Sequence, residues 1–540
     1  MRLGLLLIVI LIWHQPSFGQ TKTRKFPSPV NHPAINVFTP FVSLDGNSMI
    51  FIADNAEDNM LTMNYTSKDG VNWKEPTAMS RTVNNARLNF LKGYALSADG
   101  KVLYLTNQKA GGIGGFDILI SELKGAIWSE PVNPGTPVNS KLHDGCPSVT
   151  VDGNTLYFMR CEKMDINKAD NCKLMVVKKR PTGQWEEPVE LPASINTGNS
   201  QVPRIMGDSE TLIFSSNKFA GNKGGMDLYI TRFIGTQWSA PVALAFANTV
   251  TDDQYVSASS LSRYLIRDAP GQKKSEIIEL LFPPDQKPKG LMKVEGKIAG
   301  LENPSSAYIS VFNQKDQSRV YNGRPLADGS FIVYMKEGLV YDLSVEPERD
   351  NYTFYSKQFD VTGEKLSALE KISVNLKKLS VGDEIELPGL AFNPYKKTIS
   401  SSSMQELRRL VRMLKGNPTY KFNIDVTLRG LQQDSLQSNP DLTEILTDTS
   451  HIQVTYVRDS ITTSVDSVTT RIDSIITATR DSIVVKITYH NDRTEQQSQA
   501  IRTYLISQGV AAGNLSTTFK AIMEAVMENR KTLVKVTVRQ

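Results

Sequence analysis

The sequence predicts a multidomain chain: an all-β propeller of five blades, a small β-sandwich, and an α/β domain carrying an insertion. Three observations predict it. A unit of near-constant length recurs four times between residues 40 and 250. Short alternating runs fill residues 291–375. Beyond residue 381, strands are interleaved with segments of helical period.

Each recurring unit ends in Trp-x-x-Pro followed by an Asn: Trp73/Pro76/Asn84, Trp128/Pro131/Asn139, Trp185/Pro188/Asn196 and Trp238/Pro241/Asn248. The Trp spacings are 55, 57 and 53 residues, and each Asn follows its Trp by 11, 11, 11 and 10. A period near 50 residues filled with short strands marks a propeller. Within a unit, two apolar runs flank Asp45-Gly46, Asp99-Gly100, Asp152-Gly153 or the reversed Gly207-Asp208. Asp-Gly between alternating runs is a strong hairpin mark, because the turn needs φ > 0. A fifth unit starts at Tyr255 and reaches Pro283-Pro284 without a Trp. Phe26-Pro27-Ser28-Pro29 and Asn36 match Trp238–Pro241 and Asn248 position by position, so the N-terminal segment is expected to complete the fifth blade. Such pairing removes two open sheet edges.

The propeller is assigned to residues 20–284, the sandwich to 291–375 and the α/β domain to 381–540, with an insertion at about 431–489. In the sandwich, strands are expected at Lys293–Ile298, Ala307–Phe312, Ser330–Met335, Val340–Val345 and Thr353–Asp360. In the last domain, Glu386–Phe392 reads as a strand. Ser401–Ser403 caps a helix with Met404, Leu407, Leu410, Val411 and Leu414 on one face, and Gly416-Asn417-Pro418 stops it. A strand at Lys421–Leu428, helices at Thr494–Ser507 and Thr518–Met527, and a strand at Thr532–Arg539 follow. In the insertion, Ile461, Val465, Val468, Ile472 and Ile475 recur at helical spacing, yet Thr, Ser, Ile and Val dominate. A projecting amphipathic arm, a long polar β-hairpin and a loosely ordered excursion all remain open.

Residues 1–19 read as a signal peptide: Arg2, an apolar stretch Leu3–Trp13, then Ser17-Phe18-Gly19. No other stretch approaches 18 apolar residues, so no membrane span is expected in the mature chain. A net charge of +5 spread over 540 residues argues against nucleic acid. Of three cysteines, Cys161 and Cys172 can bridge a loop of about 12 residues, worth about 3 kcal/mol in the chain-entropy account. The alternative is three reduced thiols. No Cys-x-x-Cys spacing or His cluster suggests a metal, and no cofactor is expected. The loops Gly111–Asp117 and Gly221–Asp227 read as tight turns or, alternatively, as carboxylate sites for a cation.

Several stretches resemble known families. Ser67–Trp73 is similar to the Asp-box turns of sialidase-like propellers, which implies a structural turn. Asp328–Phe331 and Gly338–Tyr341 resemble the carboxypeptidase-regulatory-like sandwich, a spacer or docking module. Ile385–Pro418, Gln499–Gly509 and Asn529–Val538 resemble the OmpA-like C-terminal domain, which grips peptidoglycan. With a TolB/WD40-like propeller in front, the module order resembles envelope proteins of Bacteroidetes-type bacteria, some of which serve gliding and secretion machinery. The family's binding site takes diaminopimelate with an Asp and an Arg. Here those positions fall on Leu428 or Arg429, and on Gln497. Asp492, Arg493, Asn529 and Arg530 are the remaining charged or family-matching candidates.

The expectation is a non-enzymatic scaffold in the periplasm, associated with the outer membrane or envelope. Its propeller face would bind envelope proteins, and its last domain would lie toward peptidoglycan, with or without binding it. Glycan binding through exposed aromatics, or a periplasmic propeller hydrolase, are the alternatives. Five histidines in the whole chain make acid–base chemistry sparse.

Overall fold

The computed structural model describes residues 23–54, 61–84, 93–108, 111–125, 127–165, 168–363, 366–393, 397–431, 443–457, 461–465, 468–472, 475–489, 493–524 and 531–540. The signal-peptide assignment lies outside these residues. The chain is mainly antiparallel β and divides into two compact units. One runs up to Lys293 and includes Tyr334–Gly338 and Gly363–Glu370, while the other holds the remainder.

The first unit contains five antiparallel sheets in a propeller-like series. Each has a core hairpin: Val37–Val42 with Ser48–Asp54, Tyr94–Leu96 with Val102–Asn107, His143–Val149 with Thr155–Met164, Ser200–Ile205 with Thr211–Ser216, and Tyr264–Pro270 with Ser275–Leu281. Period-2 side chains sort onto opposite faces. In the first sheet, Ile50 and Ile52 meet Tyr94 and Leu103 of the second, while Met49 and Phe51 meet Ile266 and Ile277 of the fifth. Tyr104 and Ile118 pack on Leu156 and Phe158. Tyr157 and Leu174 pack on Phe214 and Tyr229, and Ile213 and Leu228 on Leu265 and Leu280. The five cores thus follow one another and return to the start.

The return is covalently remote. Thr23–Lys25 pairs antiparallel with the far end of the unit, Thr23 opposite Leu280 and Lys25 opposite Ile278. The N-terminal segment does complete the fifth sheet, but the expected alignment is shifted. Asn31, and not Asn36, takes the recurring Asn role: its Oδ1 accepts from Ile277 N–H, and its Nδ2 donates to the carbonyls of Ile277 and Phe26. Asn196 does the same with Leu174 and, five residues back, Leu191. Phe26 therefore stands where Leu191 stands, and among the described residues that sheet has no Trp equivalent. Asn36 instead bonds Asp54 and Ser275. The reversed turn is corrected too. Asp208 is followed by Ser209 at φ 56, which occupies the place Gly46 fills at φ 72.

Cys161 and Cys172 face each other across a hairpin and form a disulfide, S–S 2.07 Å, while Cys146 is free and buried.

In the second unit, strands at Tyr308–Asn313, Arg319–Gly323, Val340–Glu346 and Tyr355–Asp360 form one sheet of the sandwich region. Leu291–Ala299, Ser330–Lys336 and Leu369–Asn375 form the other, of which Val294–Ala299, Ser330–Val333 and Lys371–Asn375 fall in this unit. The strands at 319–323 and 369–375 were not expected from the sequence.

The terminal α/β domain has a four-stranded sheet in the order Glu384–Glu386, Lys531–Arg539, Lys421–Leu431, Leu515–Glu524. Helices α1 (Met404–Gly416) and α2 (Thr494–Ser507) contribute Leu407, Leu410, Ile501 and Leu505 to a core with Phe422, Ile424 and Val536. Where a helix was expected at 518–527, the described part belongs to the strand Leu515–Glu524, parallel to Lys421–Leu431, and residues 525–527 lie outside the described residues. Ala521, Ile522 and Met523 tolerate a helix, but pairing with the central strand wins over local propensity. The expected strand 386–392 shrinks to Glu384–Glu386. The insertion is a two-stranded antiparallel ribbon, Thr443–Val457 on Ile475–Tyr489, with a smaller hairpin Ile461–Val465 on Val468–Ile472. β-branched composition prevails there over helical spacing.

Candidate functional site

The innermost strands of the first unit carry a repeated irregularity. Thr39, Cys146, Val202 and Tyr255 have φ of 47°, 49°, 47° and 44°. Ladder register shifts between Phe38 and Phe41, Gly145 and Ser148, and Gln201 and Arg204. Pro40, Pro147 and Pro203 follow three of these residues, and a missing N–H is tolerated at such a bulge. β-Branched residues at positive φ are strained, by about 1–3 kcal/mol each. The bulge re-aims the side chains that follow.

Arg204 follows one of them, and its guanidinium reaches three other sheets. Its Nε donates to the Val256 carbonyl at 2.9 Å, and its Nη2 to the Tyr94 carbonyl at 3.3 Å. Its Cζ lies 4.7 Å from the Phe41 ring centroid. Burial lowers its pKa to about 10. Burial also pushes the Cys146 thiol up to about 12 and raises the Tyr94 and Tyr255 phenols. Two buried carboxylates of this unit are held by arginines. Asp144 meets Arg160 at 2.6 Å and accepts from Ser140, and Asp253 meets Arg267 at 2.5 Å and accepts from Thr249.

The Gly-rich loops serve as turns. Asp117 accepts the N–H groups of Ile113 and Gly114, and Asp227 those of Lys223 and Gly224. A Cβ on Gly114 would stand 2.0 Å from Leu142 O, and one on Gly224 2.7 Å from Val250 O. The paired glycines therefore let each loop lie against the chain entering the next sheet. Among the described residues, no group of three or more His, Cys, Asp or Glu is placed to hold a metal ion.

In the terminal domain, Leu428 continues the buried row of Phe422, Ile424 and Val426, at 2% exposure. Arg429 is on the opposite, exposed face. Gln497 is buried at 1% exposure on α2, and its Nε2 has no hydrogen-bond partner. Arg493 is buried at the N-cap position of α2. Asp492, Asn529 and Arg530 lie outside the described residues. The positions that the resemblance names therefore carry buried Leu428 or exposed Arg429, and buried Gln497.

A charged cluster on α1 was missed. Arg409 pairs with Asp342 at 2.5 Å, Glu406 at 2.8 Å and Glu346 at 3.4 Å, with 4% side-chain exposure. Ser356 donates to Glu406 at 2.6 Å. Burial raises the Glu406 pKa, partly offset by Arg409. Beside it lies a cavity of about 440 Å³ lined by Arg319, Arg408, Arg412, Tyr308 and Glu346. The available clue was Glu406-x-x-Arg409 placed among the apolar positions of one helix face.

No family model matches the chain, and no curated protein matches it. Solved structures similar to it include a TolB structure from Agrobacterium tumefaciens, 13% identical, covering 46% of this chain and 80% of that one, with TM-score 0.29. An oligogalacturonate lyase from Vibrio parahaemolyticus is 10% identical and covers 50% and 98%, with TM-score 0.28. An endo-arabinase from Bacteroides thetaiotaomicron is 16% identical and covers 47% and 96%, with TM-score 0.31. What makes the first unit propeller-like is its own strand order and its five successive cores.

Proposed function

We propose that the chain is a non-enzymatic scaffold of the bacterial cell envelope. Its five sheets act as the blades of a propeller whose loop face binds other envelope proteins. The sandwich is a spacer. The terminal domain is an OmpA-like fold that has lost its charged grip on peptidoglycan, and it lies toward that layer on the periplasmic side of the outer membrane. Secretion or gliding machinery is the setting proposed for it.

The observation that carries this reading is that the positions where the resemblance calls for Asp and Arg hold buried Leu428 or exposed Arg429, and buried Gln497, so neither register supplies the pair. Breaking a buried charge pair with a ligand costs about 2–5 kcal/mol. A micromolar affinity is worth only about 8 kcal/mol in all. The non-enzymatic part is supported by Asp144 and Asp253, whose carboxylates are held by arginines and turn donors. Among the described residues, no helix is long and apolar enough to cross a membrane. Purified peptidoglycan sacculi provide the test. Sedimentation of the chain with sacculi, competed by free diaminopimelate, would overturn the lost grip. Cross-linking in the native envelope should instead recover protein partners that depend on the propeller.

One observation favours a second reading, glycan binding. A groove of about 320 Å³ on the first unit is lined by Tyr157, Phe233 and Trp238, with Asp152 and Lys178. Trp238 packs against Phe233 at 5.3 Å and Tyr157 at 6.2 Å between ring centroids. Titration with envelope oligosaccharides, lost in Trp238→Ala, would move the reading to this class.

A further inference from the structure

We infer that the axis of the five-sheet unit holds a binding site for a small monocarboxylate, with Arg204 as its anchor.

Arg204 is buried, with 8% of its surface exposed, and among the described residues no carboxylate forms an ion pair with it. Two of its three nitrogens are used, Nε on the Val256 carbonyl and Nη2 on the Tyr94 carbonyl. The third, Nη1, is buried and has no hydrogen-bond partner. A buried guanidinium normally meets an anion, since burying a lone cation costs several kcal/mol.

Arg204 also lines an axial cavity of about 60 Å³. All five sheets contribute to that cavity, through Phe41, Leu96, Val149, Ile205 and Ser257. The space exceeds the roughly 10–15 Å³ needed by one water and suits a group of a few heavy atoms. Most of the side chains that line it are apolar, and Leu44, Ala98, Val151, Gly207 and Ala258 line it from the turn end of the sheets. One cation balances one negative charge, so a phosphate or sulfate dianion would be left half-neutralised. Chloride would match the charge but leave the apolar wall unfilled. A carboxylate on a short aliphatic chain satisfies both, because its planar oxygens suit guanidinium N–H groups. The same chemistry is presented by a free short-chain acid and by a glutamate side chain of a polypeptide.

The site is independent of the terminal-domain argument above, so either can fail alone. The test is calorimetric titration of the full chain with propionate, propionamide, chloride and N-acetyl-glutamate amide. Saturable binding of propionate or of the glutamate amide, absent for propionamide and chloride, is the expected result, and the stronger of the two names the source. Arg204→Met should weaken it at least tenfold. Because that variant removes a cross-sheet contact, Ala258→Leu provides a second arm. It narrows the cavity without touching the guanidinium and should abolish binding with the melting temperature nearly unchanged. Equal heats for propionate and propionamide, no saturable carboxylate binding, or undiminished binding in Ala258→Leu would overturn the proposal.

Discussion

The five-sheet unit and the terminal unit bury polar groups by opposite means. In the first, the repeated device is a neutral asparagine, beside the separate pairs Asp144–Arg160 and Asp253–Arg267. Asn84, Asn139, Asn196, Asn248 and Asn31 each accept from and donate to one residue of a neighbouring strand: Met63, Ile118, Leu174, Leu228 and Ile277. An amide offers a donor and an acceptor in one plane, as a paired strand does. In the second unit, one arginine gathers three carboxylates at a single point. Repetition spreads risk over many modest bonds. Concentration makes one residue decisive.

That contrast can be broken by measurement. Arg409→Met should be the most damaging change, destabilising the second unit by about 3–5 kcal/mol, since it strands Asp342 and Glu406 in the interior. Urea unfolding that loses less than 1 kcal/mol would remove the idea of a decisive point. Asn196→Ala should cost about 2–3 kcal/mol, through lost bonds and the unpaired N–H and carbonyl of Leu174. Asn31→Ala should match it and exceed Asn36→Ala in the same assay, because only Asn31 clasps a strand in this way.

A subtler effect is set by pH. The Glu406 pKa is raised, so the folded chain holds that proton more tightly than the unfolded chain does. Its contribution to stability therefore declines as pH climbs from the ordinary glutamate range through the folded value. Glu406→Gln cannot ionise, so its melting temperature should gain on wild type as pH rises above the ordinary glutamate range. A constant gap would place the proton elsewhere. The smallest change is Ser209→Gly. Relief of the φ 56 conformation should stabilise the first unit by about 0.5–1 kcal/mol, measured by thermal unfolding.

The same contrast explains what the sequence made legible. Turns such as Asp45-Gly46 and Asp99-Gly100, seen repeatedly, could be checked against one another, and the expected hairpins are present. The N-terminal segment offered a single copy. There the match of Pro29 and Asn36 to Pro241 and Asn248 outvoted the true spacing, five residues from Phe26 to Asn31. The terminal domain had no internal copies either. Residues 518–527 read as a helix because nothing local reveals a strand partner more than 90 residues earlier, such as Asp425 beside Thr518. Arg409 was overlooked because a charge on a helix is by default a solvated one. Only the fold shows Asp342 waiting, 67 residues away. Arg204 was hidden for the same reason, since its partners come from other sheets.

The pairing of Thr23–Lys25 with residues near 280 has a consequence for how this molecule comes into being. About 250 residues separate the two sides of that clasp, so it is among the most non-local contacts of the fold and carries a large loop-closure cost. Proteolysis just after Lys25 would leave every core hairpin intact. It would also bare the outer edge of Ser275–Leu281, a ready template for another chain, and turn a self-contained body into an adhesive one.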